Sequence, residues 1–343
     1  MRLFNLFSQE LAIDLGTANT LIIQDGKIVV DEPSIVAIDK HTKQTIAVGH
    51  KAMQMHEKTH KNIETIRPLK DGVIADFQAA ESMIQGMIQM IDQKRKFFSH
   101  LKMVICIPSG ITEVEKRAVF DSADHVDSKE TYLIHEPMAA ALGIGLNVEE
   151  PVGNMIIDIG GGTTEIAVIA LSGIVADNSI RTAGDEFTAD IIDYMKREHN
   201  LLIGERTAEQ IKIRVGSATK TLADPPEPLP INGRDLMTGI PKQIVVRFEE
   251  TAEALDKSIA KVEDAILKSL EATPPELSSD IYKTGLYLTG GGALLRGLDE
   301  RIALKTKLDV HIADDPLRAV VKGTGLALKG TDRYSFLIDR KSM

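Results

Sequence analysis

The sequence predicts an α/β protein made of two related halves. A short motif occurs twice, as Ala12-Ile13-Asp14-Leu15-Gly16-Thr17-Ala18-Asn19-Thr20 and as Ile156-Ile157-Asp158-Ile159-Gly160-Gly161-Gly162-Thr163-Thr164. Asp14 aligns with Asp158, Gly16 with Gly160 and Thr20 with Thr164. Apolar runs flank both copies, so each reads as strand, tight polar turn, strand. Strands also alternate with helical patterns along the chain, the mark of layered α/β domains. At 343 residues the chain is long enough for two domains.

The elements follow in order. Leu11–Ile13 and Leu21–Ile23 flank the first turn; Asp25-Gly26 leads into Lys27–Val30, and Pro33–Ile38 is a further strand. Residues 39–68 are polar and read as a small appended element. His50, His56 and His60 lie there, but no cysteine or acidic partner stands at ligand spacing, so they read as surface residues. Phe77, Ala80, Met83, Ile84, Met87, Ile88 and Ile91 mark one face of a helix over 76–95. Leu101–Ile107 is a buried strand ended by Pro108-Ser109-Gly110. Thr112 with Glu115 is a capping box that starts the next helix. Thr131–Ile134 is a strand, and Pro137–Leu146 a helix with proline in its first turn.

The second half opens near 152 with the second hairpin, which turns at Ser172-Gly173. Residues 185–223 read as helical. The proline- and glycine-rich stretch 224–241 reads as loops and short edge strands. Leu255, Ile259, Val262, Ile266 and Leu270 face one side of a helix over 249–271, ended by Pro274-Pro275. Leu286–Leu288 runs into Thr289-Gly290-Gly291-Gly292, with a helix expected from about Ala293. Val310–Ile312 is a last strand and Leu317–Leu328 a last helix.

Composition narrows the function classes. A hydrophobic content of 43% suffices for a core. The single cysteine, Cys106, excludes a disulfide within the chain, fits a reducing compartment and sits in an apolar strand. No run reaches the roughly 20 apolar residues of a membrane span. Met1–Phe7 is too short for a secretory signal. The net charge of −10 argues against a general nucleic-acid binder.

The repeated hairpins carry the chemistry. Turns rich in glycine and threonine offer backbone N–H groups and hydroxyls to phosphate oxygens. An aspartate ending the strand before each turn suits a hydrated divalent cation, since hard cations take oxygen ligands. Two such hairpins would grip a nucleoside triphosphate and its metal from both sides. One glycine hairpin alone is commonplace; two with the aspartate in register are not. The chain lacks the P-loop pattern, and Gly143-Ile-Gly145 and Gly323-Thr-Gly325 do not follow strands as a dinucleotide fingerprint must. Glu136, between a strand and a helix, is the candidate to activate a water for attack on a γ-phosphate. Its alternative is a helix-start carboxylate that complements the dipole. Thr163 is a second candidate for placing that water, or a plain phosphate contact. Gly290–Gly292 can let a base or phosphate approach bare backbone. Taken alone, Glu205 and Glu209-x-x-Lys212 read as solvated charge.

The two hairpins, His135-Glu136-Pro137-Met-Ala-Ala-Ala141 and Leu288-Thr-Gly-Gly-Gly-Ala-Leu-Leu295 resemble the actin superfamily of ATPases. More narrowly, Arg67–Asp76, Ile203–Glu209 and Pro274–Asp280 are similar to stretches of the MreB family, the bacterial actin homologues, and the resemblance spans roughly residues 10–330. It implies an actin-like ATPase fold of two related ribonuclease H-like domains, each with a smaller subdomain and with nucleotide in the interdomain cleft. Subdomain IA would comprise 1–32, 66–145 and 315–343, and IB 33–65. IIA would comprise 146–181 and 246–314, and IIB 182–245.

The resemblance also implies ATP or ADP with Mg2+ as ligands. Asp14 and Asp158 would hold the metal through water. Gly16, Thr17, Ala18, Asn19, Gly160, Gly161, Gly162 and Thr163 would hold phosphates. Glu136 and Thr163 would position the attacking water. Glu205 and Glu209 would lie near the nucleoside, and Gly290, Gly291 and Gly292 near the adenosine. Implied too are paired antiparallel protofilaments of the chain itself on the inner face of the cytoplasmic membrane. There they would act with membrane proteins of the wall-elongation complex to organise peptidoglycan synthesis and cell shape, with no nucleic-acid partner. His135 departs from the family, where many members have an acidic residue before the glutamate, and so does the proline-rich loop at 224–230.

Leu3, Phe4, Leu6 and Phe7 beside Arg2 make a short segment suited to a lipid interface, weak singly and multiplied by a filament. In the family the region of Phe97 and Phe98 is a loop that also enters the membrane. Competing readings are a soluble small-molecule kinase of the same superfold and a chaperone ATPase. The kinase would need an aspartate base after the second hairpin, which is not seen. The chaperone would continue into a peptide-binding domain, whereas this sequence stops soon after its last expected helix.

Overall fold

The computed structural model describes residues 8–91, 100–126, 128–335 and 337–340. In chain order, β1 (Ser8–Leu15), β2 (Asn19–Gln24) and β3 (Lys27–Pro33) form a meander. There follow β4 (Val36–Asp39), β5 (Thr45–Val48), α1 (His50–Met55), β6 (Ile63–Ile66), β7 (Leu69–Lys70) and β8 (Val73–Ile74). Next come α2 (Phe77–Ile91), β9 (His100–Ile107), α3 (Glu113–Asp124), β10 (Ser128–His135) and α4 (Glu136–Gly143). A second meander, β11 (Asn154–Ile159), β12 (Thr164–Ala170) and β13 (Gly173–Ile180), precedes α5 (Gly184–His199), β14 (Leu201–Leu202) and α6 (Glu205–Val215). Then come β15 (Leu229–Asp235), β16 (Pro241–Val246), α7 (Phe248–Ala272), α8 (Pro275–Thr284), β17 (Leu286–Thr289), α9 (Leu298–Thr306) and β18 (Val310–Ile312). The helix α10 (Ala319–Lys329) and strand β19 (Ile338–Arg340) end the described chain.

These elements form two compact units. One holds the described residues of Met1–Pro151, Ile169–Ile174 and Leu317–Met343, the other Val152–Val168 and Val175–Pro316. The first has a sheet in the order β19-β10-β9-β1-β2-β3, the second a sheet in the order β13-β12-β11-β17-β18. Read from the meander, both run third strand, second, first, then two crossover strands, and the first sheet adds β19 at its far edge, antiparallel to β10. In the first, β1 pairs β2 antiparallel and β9 parallel. In the second, β11 pairs β17 parallel and β17 pairs β18 parallel. The doubled motif is thus part of a doubled topology.

Strand periodicity sorts each face. In the first unit Leu11, Ile13, Leu15, Met103, Ile105 and Ile107 share one cluster with Met83 and Met87 of α2 and with Val119 and Phe120 of α3. Alternate residues point to the other face, where α10 lies and Gly325 approaches Ile23. Every residue of β11 and β12 is buried, as befits central strands covered on both sides. Their cluster joins Phe187 and Ile191 of α5 to Leu255, Ile259 and Val262 of α7. On α7, Glu263 is bound by Arg301 of α9 at 2.8 Å, which pairs a buried carboxylate with its cation.

Several sequence expectations need adjusting. Residues 185–223 are not one helix: α5 ends at Asn200, in left-handed backbone, β14 pairs with β15, and α6 begins a new turn. The turn after β12 falls at Leu171-Ser172, both with positive φ, so Gly173 already starts β13. Pro33 closes β3, and the next strand starts only at Val36. Pro274-Pro275 ends α7 but also starts α8, because proline suits the first helical turn. The last helix starts at Ala319 after a short 3-10 turn, and the terminal β19 carried no sequence signal. The capping box of Thr112 and Glu115 is formed. His50 pairs with Glu32, and His56 with Thr65. Among the described residues no helix is long and apolar enough to cross a membrane. Leu3, Phe4, Leu6, Phe7, Phe97 and Phe98 lie outside the described residues.

Candidate functional site

In the first unit Asp14 stands near the end of β1, just before the turn. The Gly16 carbonyl accepts from Ser34 Oγ at 2.6 Å, the Ala18 carbonyl from Ser34 N at 2.9 Å, and Thr20 Oγ1 lies 2.8 Å from the same hydroxyl. One buried serine therefore ties down the hairpin. Thr17 is buried and its hydroxyl accepts from Gly72 N at 3.1 Å, while Asn19 is exposed. Asp14 keeps some exposed surface, but its carboxyl group sits deep among β1 and β9. Burial raises its pKa to about 6, against a lowering by the Cys106 thiol, which donates to Oδ1 at 3.1 Å. Burial, with the negative fields of Asp14 and Glu136, pushes Cys106 well above the usual thiol range, so it stays a donor. Glu136 is the first residue of α4, with Pro137 beside it in the first turn. Asp14, Cys106 and Glu136 are thus electrostatic neighbours in one unit. His135 immediately precedes Glu136 at the helix cap, with Nδ1 buried and without a hydrogen-bond partner among the described residues.

In the second unit Asp158 is buried and Thr289 Oγ1 donates to its Oδ1 at 2.7 Å. Gly160 N donates to Thr163 O at 2.9 Å and closes the turn. The first N–H groups of α5 dock on it, Gly184 N to Gly160 O at 3.1 Å and Asp185 N to Gly161 O at 2.7 Å. Thr164 Oγ1 donates to Thr182 O at 2.7 Å. Gly16 and Gly160 each offer their carbonyl to the chain after the third strand, so the hairpins match in bonding as well as in sequence. Gly162 and Thr163 are buried; Gly160 and Gly161 are partly exposed.

Glu205 opens α6 and Glu209 follows one turn on. Glu209 is not merely solvated: Lys212 Nζ lies 2.7 Å from it and also donates to Gly184 O at 2.7 Å and Thr188 Oγ1 at 2.9 Å. This brings the glutamate against the start of α5. Gly290 and Gly292 do not open an α-helix: a 3-10 turn covers Gly291–Leu294, and α9 begins only after Gly297. Gly290 has φ of 79°, and a Cβ there would sit 2.3 Å from Ile159 O of β11. That close approach requires glycine whatever it binds. The expected residues thus gather in two groups. Asp14–Asn19 with Glu136 lie in the first unit, and Asp158, Gly160–Thr163, Glu205, Glu209 and Gly290–Gly292 in the second. Ser34, Cys106, Thr188 and Thr289 were not singled out in the sequence as partners of these residues, since their signal lies in strand register and long-range contact.

Each unit presents one strand-end carboxylate beside a hydroxyl- and glycine-rich turn. Among the described residues no group of three or more histidine, cysteine or acidic side chains surrounds a common point. Such a donor set suits magnesium, which keeps its waters and takes oxygen ligands from a phosphate.

The doubled sheet, each half with an aspartate before a glycine turn, defines the actin-like class of fold. Residues 8–335 match the family model described as MreB/Mbl protein, and the chain belongs to this family. It is 48% identical over 329 residues to the "Cell shape-determining protein Mbl" of Bacillus cereus, covering 96% of this chain and 98% of that one. It is 46% identical over 334 residues to the "Cell shape-determining protein MreB" of Escherichia coli K12, covering 96% of each. Among solved structures it resembles MreB5 of Spiroplasma citri bound to ADP, with a TM-score of 0.90 and 37% identity, over 96% of this chain and 98% of that one. The same protein is also known bound to AMPPNP.

Proposed function

We propose that this chain binds and slowly hydrolyses ATP with magnesium, and that the nucleotide governs its assembly into filaments that help set cell shape. The carrying observation is the pair of hairpins, each with an aspartate held by a side-chain donor. Nucleotide complexes of the Spiroplasma relative and family membership support it. In this reading the hairpin amides and hydroxyls hold phosphate oxygens, and Asp14 and Asp158 hold the magnesium through water. Glu205, Glu209 and Gly290–Gly292 adjoin the nucleoside. The bound cation supplies charge neutralisation of the phosphates. Glu136 orients the attacking water and accepts its proton, and the Thr163 hydroxyl helps to place that water. The division into four subdomains belongs to the same proposal.

We infer further that the filaments are paired and antiparallel and lie on the inner face of the cytoplasmic membrane, reached through residues 1–7 and Phe97-Phe98. There they would organise elongation-phase peptidoglycan synthesis with membrane proteins of that machinery. The test is electron microscopy of the protein on lipid monolayers, with magnesium-ATP or with EDTA. Paired filaments only with magnesium-ATP are expected. A sample that binds ATP yet never assembles, with or without lipid, sinks the filament reading. A chain lacking residues 1–7 that covers the lipid as densely as the full chain removes that segment from membrane contact.

A further inference from the structure

The two strand-end aspartates are held in the same way by unlike residues. The parallel register of β11 and β17 pairs Asp158 with Thr289, whose hydroxyl donates to Asp158 Oδ1 at 2.7 Å. In the other unit the parallel register of β1 and β9 pairs Ile13 with Ile105. One residue further along both strands, the Cys106 thiol donates to Asp14 Oδ1 at 3.1 Å. β9 and β17 hold the same place in their sheets, each next to the first meander strand. The donor therefore comes from the same strand, at the same register, to the same oxygen.

The geometry points to Cys106 and Thr289 as equivalent positioning residues, each holding the plane of one aspartate so that it meets the hydration shell of a nucleotide-bound divalent cation. This rests on the reading of Asp14 and Asp158 as the metal-organising pair. The carboxylate torsion of aspartate is soft and roughly two-fold, so an unheld group samples many planes. A donor on Oδ1 selects one of them. Partners that orient a metal-organising group in this way affect metal affinity without touching the metal. The two donors differ in strength, because a thiol is a weak donor and a hydroxyl a full one. The hold on Asp158 is accordingly the firmer.

The test measures affinity of the full-length protein for a fluorescent ATP analogue in magnesium and in EDTA, below the concentration at which it assembles. The readout is the ratio of the two affinities, which a merely structural role does not move. Thr289→Val keeps the shape of threonine and removes the donor; it is expected to lower the ratio about 10-fold, and Cys106→Ala about 3-fold. Thr289→Ser, which keeps the hydroxyl, is expected to retain the wild-type ratio, and Cys106→Ser, which puts a full donor in place of a weak one, to match or exceed it. Should Thr289→Val fail to fold, Thr289→Cys carries the comparison, since a thiol in place of the hydroxyl lowers the ratio. Asp14→Asn and Asp158→Asn serve as references. If they abolish the magnesium effect while the donor-free variants keep it, the positioning role is overturned and the metal reading stands. If the asparagine variants themselves keep the wild-type ratio, the metal reading falls and this inference with it.

Discussion

At the scale of single residues, Asp14 sets stability against function. Its carboxyl has a pKa raised from 3.8 to about 6, chiefly by burial. A group that binds its proton more tightly when folded favours folding at low pH and loses that advantage as pH rises through about 6. In EDTA and without nucleotide, Asp14→Asn should therefore be more stable than wild type at pH 8, by about 1–3 kcal/mol. The gain should shrink as pH falls below 6, as followed by urea denaturation at several pH values. Equal stability at pH 8 would show that the carboxylate is not strained by its surroundings. Glu136 plays a different part, at the first turn of α4 rather than on a strand. Glu136→Ala should keep nucleotide affinity and lose hydrolysis by about 100-fold or more, within the usual range for a general base. Phosphate release at the wild-type rate would remove the glutamate from the chemistry.

At the scale of elements, the first unit depends on a close helix crossing. A Cβ on Gly143 of α4 would sit 1.8 Å from the Ala319 carbonyl of α10, and one on Gly323 would sit 1.7 Å from the Ala139 carbonyl. The obstacle in each case is backbone, which cannot rotate aside. Gly323→Ala must part the helices and should cost about 1–3 kcal/mol. Gly173→Ala, whose nearest contact is 3.7 Å away, should leave stability nearly unchanged. Thermal melts of both check this, and equal melting points would mean that the helices yield without loss. These glycines read in the sequence only as failed dinucleotide fingerprints, because a crossing between distant helices leaves no local pattern. The helices with a clean 3.6-residue stripe, α2 and α7, were legible to within a residue over the described residues, since one buried face writes itself into the spacing; residues 92–95 of the expected 76–95 helix lie outside them. α8 was hidden because a proline pair reads equally as the end of one helix and the start of the next.

At the scale of the whole molecule, binding and stability are linked. A ligand that binds only the folded state stabilises it by about 2.7 kcal/mol at 100 times its Kd. Magnesium with AMPPNP should raise the melting temperature by about 4 °C, EDTA should remove most of that rise, and so should asparagine at either Asp14 or Asp158. A shift that survives Asp158→Asn would mean that one unit alone holds the nucleotide. The sequence by itself determined the α/β class, the two related halves and the strand-turn-strand hairpins. These follow from local periodicity and from a motif written twice, and the aspartates and glycines stand in the motif itself. Only the tertiary structure decided what holds those residues. Ser34 clamps the first hairpin, the start of α5 clamps the second, and Cys106 and Thr289 steady the two aspartates. Each of these partners arrives by strand pairing or chain return from far along the sequence. A contact made by register across a sheet has no spacing along the chain by which it can be read.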